Sequence, residues 1–121
     1  MIRTVDRVFG VLLLIGAILH AYGSIRTYAA GTPTLVWALS GSLAAGLLAI
    51  LNLLRAGRPG DNALAWITFI GCLCWVCLAL AFGSSIGRVA DPRVLWHVIC
   101  AVMLALFSLR MIVGARIPQR T

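Results

Sequence analysis

The sequence predicts an all-α membrane protein, an up-down-up-down four-transmembrane-helix bundle, on three observations. Four apolar stretches fill most of the 121-residue chain, at about 5–26, 33–54, 62–85 and 92–114. Each matches the ~20 residues that a helix needs to cross a ~30 Å hydrocarbon layer. The chain is 62% hydrophobic, with a mean hydropathy of +1.04. A soluble chain of this size cannot bury so much apolar surface. We therefore expect 1–121 to form a single transmembrane domain in contact with a lipid bilayer.

The first stretch shares some features of a secretory signal peptide. Arg3 and Arg7 precede its apolar run Val8–Leu19, and small residues follow near Gly23. We interpret it as a retained first helix.

The other three helices carry start signals. Thr32 and Asp91 each precede a proline, which is tolerated at the first helical position because its missing N–H is not needed there. Asp61 or Asn62 can cap the third helix. Connections of about six residues predict that successive helices are antiparallel neighbours.

The arginines predict orientation. All ten basic residues are arginine, which is typical of a GC-rich bacterial genome. Seven lie at the N-terminus, the second loop and the C-terminal end: Arg3, Arg7, Arg55, Arg58, Arg110, Arg116 and Arg120. Three lie around the first and third loops: Arg26, Arg88 and Arg93. The positive-inside rule then places both the N and C termini in the cytoplasm of a bacterial inner membrane. We expect Arg55 and Arg110 to extend to the lipid headgroups.

Charge also excludes some functions. The net charge of +7 is dispersed over helix ends, without the basic stripe that nucleic-acid binding requires. The acids Asp6, Asp61 and Asp91 are expected at helix ends, so no carboxylate is predicted within a span. Proton-coupled antiport normally needs one there. No acid, base and nucleophile set is evident, so we favour a non-enzymatic protein and leave enzymatic activity open.

The second helix carries a double ridge of small residues at helical spacing. Its members are Ala38, Gly41, Ser42, Ala45, Gly46 and Ala49. In lipid, helices associate where small residues allow close approach. The ridge therefore predicts packing within the chain or, alternatively, a contact in a homo-oligomer. Asn52 is expected to form an interhelical hydrogen bond.

Two histidines define a candidate ligand pocket. His20 late in helix 1 and His97 early in helix 4 fall at similar depth near the predicted outer face. Structural hydrogen bonding, a small-molecule site, and metal or haem ligation are all open. The predicted pocket contains His20, Ser24, Ser84, His97 and Cys100 below a mouth of Arg26, Arg88 and Arg93. This positive mouth favours an anionic or weakly polar ligand.

Cysteines add a weaker signal. Cys74 and Cys77 form a C-x-x-C pair, but it lies mid-span without the βαβ context of thioredoxin-like proteins. We interpret the cysteines as small packing residues. A soft-metal site of His20, His97, Cys77 and Cys100 remains an alternative, as does a Cys77–Cys100 disulfide.

Three hypotheses follow. The first is a small integral membrane protein that assembles with itself or serves as an accessory subunit of a larger membrane complex. The second is a small transporter or ligand-binding protein with an outward-opening pocket around His20 and His97. The third is a membrane redox protein that holds haem or a metal.

Overall fold

Four helices account for nearly all of the chain in a computed structural model that describes residues 1–114. They are α1 (Ile2–Thr27), α2 (Pro33–Gly57), α3 (Asn62–Ser85) and α4 (Pro92–Gly114). All four are long and apolar enough to span a membrane. The predicted all-α fold with four helices of membrane-spanning length is confirmed, although α1 begins and α2 ends three residues beyond the predicted bounds. Arg116 and Arg120 lie outside the described residues.

Polar side chains begin three of the helices. The Thr32 hydroxyl accepts a hydrogen bond from the Leu35 amide at 3.3 Å, and the Asp61 carboxylate accepts one from the Leu64 amide at 3.0 Å. Asp91 accepts one from the Arg93 amide at 2.9 Å. The predicted caps are therefore present, with Asp61 rather than Asn62 at the start of α3. Each loop also contains one glycine with positive φ: Gly31, Gly60 and Gly87.

The helices form a closed arrangement in which α1 contacts α2 and α4, and α3 contacts α4 and α2. Packing is most extensive within the α1–α2 and α3–α4 pairs and least extensive between α2 and α3. The core is a mostly apolar cluster: Leu13, Leu48, Ala49, Cys72, Cys100, Ala101, Leu104 and Ala105. Only 22% to 33% of each span is buried in the chain itself. Most of the apolar surface therefore faces outward, as expected where lipid is the solvent.

Buried polar contacts join the beginning of one helix to the end of another. Asp6 of α1 pairs with Arg55 of α2, and the Thr68 hydroxyl of α3 lies 2.9 Å from the Ser108 hydroxyl of α4. Each hydroxyl also lies within hydrogen-bond distance of a backbone carbonyl of its own helix, so one can donate to that carbonyl while the other donates across the helix pair. These contacts set the register within each of the two extensively packed pairs.

The ion pair between Asp91 and Arg93 predicts an acid-dependent loss of stability. Hydrogen bonds from Arg93 lower the pKa of the Asp91 carboxyl from 3.8 to about 2. Because the folded value lies below the unfolded one, the stabilisation is complete above pH 3.8 and is lost as the pH falls through about 2. We expect Asp91→Asn to lower the thermal midpoint at pH 7, and the difference from the unmodified chain to shrink between pH 4 and pH 2. Thermal unfolding followed by circular dichroism in detergent would measure this. A difference that stays constant over that range would contradict it.

Candidate functional site

The two histidines lie together at one end of the bundle, called the histidine end. The His20 ring of α1 and the His97 ring of α4 have centroids 6.4 Å apart and planes at 77°. Both side chains are half-buried. The indole N–H of Trp75 on α3 donates to Nδ1 of His97 at 3.4 Å. Three helices therefore contribute to one aromatic and imidazole cluster.

A close approach of α4 to α1 brings the histidines together. A Cβ atom at Gly16 would lie 2.8 Å from Nε1 of Trp96 and 3.2 Å from Cε1 of His97, so a larger residue would displace both rings. The Trp96 indole donates to the Leu12 carbonyl at 3.0 Å, and this hydrogen bond joins α4 to α1. Trp75 and Trp96 were not predicted as partners of the histidines. A tryptophan directly before His97 and a glycine four residues before His20 were the available signals.

The remaining residues of the predicted pocket divide into two groups. Ser24 is buried and its hydroxyl donates to the His20 carbonyl at 2.8 Å, so it is occupied by its own helix. Cys100 belongs to the core. The others are exposed: Ser84, Arg26, Arg88 and Arg93. The Arg93 side chain is 80% exposed and pairs with Asp91 at 2.9 Å. The outward-opening pocket therefore stays a prediction. Of its predicted residues, His20 and His97 lie close together, and Trp75 contacts His97.

Metal-ligating side chains are sparse around the histidines. Within residues 1–114, no group of three or more His, Cys, Asp or Glu side chains is placed to hold a metal ion. Cys77 is exposed whereas Cys100 is buried. All four cysteines are free thiols, so the Cys77–Cys100 disulfide that the sequence left open is not formed. Among the described residues, His20 and His97 therefore form a pair of imidazoles without a third metal-ligating side chain.

The small-residue ridge of α2 is buried in the bundle on one side. Ser42, Ala45 and Ala49 are buried, and a Cβ atom at Gly46 would lie 3.9 Å from Cβ of Ala17 on α1. By contrast, Gly41 has open space beside it. An apolar groove of about 300 Å³ runs between α1 and α2 along this ridge. It is lined by small residues, including Ala17, Ala21, Ser42 and Gly46, and by larger ones, including Leu43 and Leu47.

The opposite end of the bundle, called the Asp6 end, contains a buried ion pair. Nη2 of Arg55 donates to Oδ1 of Asp6 at 2.6 Å. The two residues are only 2% and 6% exposed. The expectation that Arg55 extends to the headgroups is wrong, because its side chain is buried in the bundle. Asp6 lies near the start of α1, as expected, but its carboxylate faces the interior and pairs with Arg55. Each charge pairs inside the bundle because the other is within reach.

Asn52 and Cys72 extend the ion pair to a third helix. Nε of Arg55 donates to the Asn52 side-chain oxygen at 3.4 Å, and the Asn52 amide donates to Sγ of Cys72 at 3.4 Å. The predicted interhelical role of Asn52 is thus seen in its contact with α3. No buried side-chain nitrogen or oxygen in the described range 1–114 lacks a hydrogen-bond partner.

Helical spacing explains why these charges face inward. Asp6, Gly10, Leu13 and Ala17 are all buried on α1 and are separated by three or four residues. On α2, the buried Ala45, Leu48, Asn52 and Arg55 follow the same spacing. Each charge therefore continues a buried stripe, and this pattern was the sequence signal for the pair.

Breaking the pair should be costly. We expect Asp6→Asn or Arg55→Gln to destabilise the bundle by about 3–5 kcal/mol, because each leaves a buried charge without its partner. The double variant should recover much of that loss, since two amides can share a hydrogen bond. Equilibrium unfolding of the full chain in mixed micelles would measure the cycle.

Asp61→Asn is the matched control for Asp6→Asn. It also removes one carboxylate, but Asn can cap a helix as Asp does. Equal stability of the Asp6 and Asp61 variants would contradict a structural role for the ion pair.

No family model, curated protein or solved structure matches this chain. Function is therefore inferred from the geometry of the α1–α2 groove, the histidine pair and the Asp6 end.

Proposed function

We propose that this chain is a non-enzymatic subunit of a bacterial inner membrane that assembles with copies of itself through the α1–α2 groove. Its helices would run up-down-up-down, with both termini in the cytoplasm. The observation that carries the proposal is the groove, which combines small residues with larger apolar ones on the outer surface of the bundle.

Antiparallel neighbours account for the polar contacts. Asp6 near the start of α1 meets Arg55 near the end of α2, and Thr68 near the start of α3 meets Ser108 near the end of α4. With this topology, Arg3, Arg7, Arg55, Arg58 and Arg110 share one end of the bundle. Their excess over the three arginines of the other end supports a cytoplasmic location of the Asp6 end.

A second copy fits the groove for a geometric reason. Hydrocarbon solvates a leucine as well as a neighbouring helix does, so association in lipid depends on close packing at small residues. α1 covers one side of the α2 ridge, and the groove leaves Gly46 partly accessible from outside, with the buried Ser42 at its floor. Leu43 and Leu47 are exposed at the same groove. A twofold arrangement would let these leucines of each copy pack into the groove of the other.

The packed apolar interior favours a structural subunit over a channel or transporter. Leu13, Leu48 and Leu104 are buried in the central cluster and fill the middle of the bundle. The buried hydroxyls of Thr68 and Ser108 bind each other and backbone carbonyls. The polar groups at the two ends are therefore separated by a packed apolar layer.

Filling the groove should prevent assembly. We expect Gly46→Leu to shift the protein toward the monomer, because the new side chain would extend into the groove while its Cβ makes only an ordinary 3.9 Å contact with Ala17. Gly41→Leu is the matched control, since it adds the same side chain on α2 where nothing lies within 4 Å. Sedimentation in mild detergent and energy transfer between labelled copies in vesicles would measure the oligomeric state.

Two results would contradict this function. The first is an unmodified chain that is monomeric in both detergent and vesicles. The second is an oligomer that stays intact in both the Gly46→Leu and the Gly41→Leu variant, which would show that the groove is not the interface.

The histidine pair supports a second candidate, a ligand-binding membrane protein. Two half-buried imidazoles with centroids 6.4 Å apart are placed to contact one small ligand or ion between α1 and α4. Trp75 holds His97 through its Nδ1, which orients the ring. Haem or a transition metal is the ligand class that two imidazoles would recognise.

An optical spectrum with elemental analysis of the purified protein tests the second candidate. If the pair binds haem or metal, we expect a stoichiometric signal that His97→Ala abolishes and that Cys74→Ala, at an exposed thiol, preserves. A colourless, metal-free protein that also fails to bind added Co²⁺ would rule this candidate out.

A further inference from the structure

A charged cavity lies at the Asp6 end, away from both the groove and the histidines. It has a volume of about 250 Å³ and is bounded by residues from α1, α2 and α4 and the loop after α2. Its charged lining consists of Arg3, Asp6, Arg55 and Arg110, and its apolar lining includes Phe107 and Met111. Side chains that are far apart in the sequence thus surround one space.

The lining has an excess of positive charge. Three guanidinium groups face one carboxylate, and that carboxylate is already paired with Arg55 at 2.6 Å. The charge of Arg3 and Arg110 is therefore not balanced by any acidic side chain of the lining. The carbonyl ends of α2 and α4 each add only about half a negative charge. An anion is accordingly the ligand that this cavity attracts.

The buried arginine gives the cavity a fixed wall. Asp6 holds Nη2 of Arg55, and Asn52 accepts from its Nε at 3.4 Å. A guanidinium group held in this way, in a residue that is only 2% exposed, stays fixed at the inner wall. Arg3 and Arg110 are exposed and can contact an anion from the rim, and their planar guanidinium groups match the oxygens of a phosphate group.

The apolar part of the lining indicates the source of the phosphate. Phe107 and Met111 are four residues apart on α4, so they lie on one face that leads from the cavity along the span. The volume is below the ~300–1,000 Å³ of pockets that enclose a drug-sized ligand. A headgroup phosphate in the cavity with its acyl chains along α4 satisfies both observations.

We propose that the cavity between α1, α2 and α4 binds the phosphate group of an anionic phospholipid. Arg3 and Arg110 contact the phosphate, Arg55 forms the inner wall, and Phe107 and Met111 contact the start of the acyl chains. Clustered basic residues at the ends of transmembrane helices are a recognised means of selecting anionic lipids. This site does not depend on assembly through the α1–α2 groove.

Native mass spectrometry of the full chain with added phosphatidylglycerol or phosphatidylcholine tests the proposal. We expect the unmodified chain to retain phosphatidylglycerol preferentially. Arg3→Gln with Arg110→Gln should lower that affinity by about tenfold or more, since each arginine near the membrane surface contributes to anion binding. Arg7→Gln with Arg58→Gln is the matched control, because it removes the same charge from exposed positions that do not line the cavity.

A second variant tests the volume of the cavity without changing its charge. Met111→Trp adds volume at the apolar wall and leaves the charge unchanged, so it should also reduce retention of phosphatidylglycerol. Thermal unfolding in phosphatidylcholine micelles verifies that each variant is folded.

Three outcomes would overturn the proposal. Equal losses in the two double-arginine variants would indicate diffuse attraction by surface charge. Displacement of phosphatidylglycerol by millimolar inorganic phosphate would identify free phosphate as the ligand. Unchanged retention by a folded Met111→Trp variant would place the lipid outside the cavity.

Discussion

The ion pair between Asp6 and Arg55 is the contact on which the rest of the bundle depends. In a medium without water, neither charge is tolerated alone, so α1 and α2 must adopt the register in which the two groups meet. Asn52 then connects Arg55 to Cys72, which extends the constraint to α3. An apolar pair of similar volume would pack equally well in several registers. The charges instead penalise every register but one, which suits a bundle whose helices otherwise present similar apolar surfaces.

The two ends of the bundle are held by different interactions. At the Asp6 end, the charged side chains of Asp6 and Arg55 meet at 2.6 Å, and both line the cavity. At the histidine end, Trp96 and His97 pack against Gly16, and the contact depends on shape and neutral hydrogen bonds. Between them lies the apolar layer of Leu13 and Leu104. Both proposed ligand sites therefore lie at the ends of the bundle, whereas the middle is a packed apolar layer.

Hydropathy predicted the four long apolar helices, and capping residues predicted the starts of α2, α3 and α4, because both depend on local sequence. Arg55 could not be placed in the same way. A long basic side chain at a helix end either reaches the headgroups or turns inward, and the choice depends on whether an acid from another helix is near. Asp6 is 49 positions away, so only tertiary structure decides. Likewise, shared depth suggested that His20 and His97 are neighbours, but the contribution of Trp75 depends on how α3 is rotated about its axis.

Exposed apolar surface carries different weight in this protein than in a soluble one. In water, exposed residues such as Trp37 and Leu43 would by themselves demand a partner. In lipid they do not, because hydrocarbon chains solvate them. What favours association is a place where backbones can approach closely, and the α1–α2 groove offers one at Gly46. The proposed self-assembly therefore depends on the shape of that groove. The proposed lipid binding depends on the arginines around a cavity that a second copy in the groove would leave open.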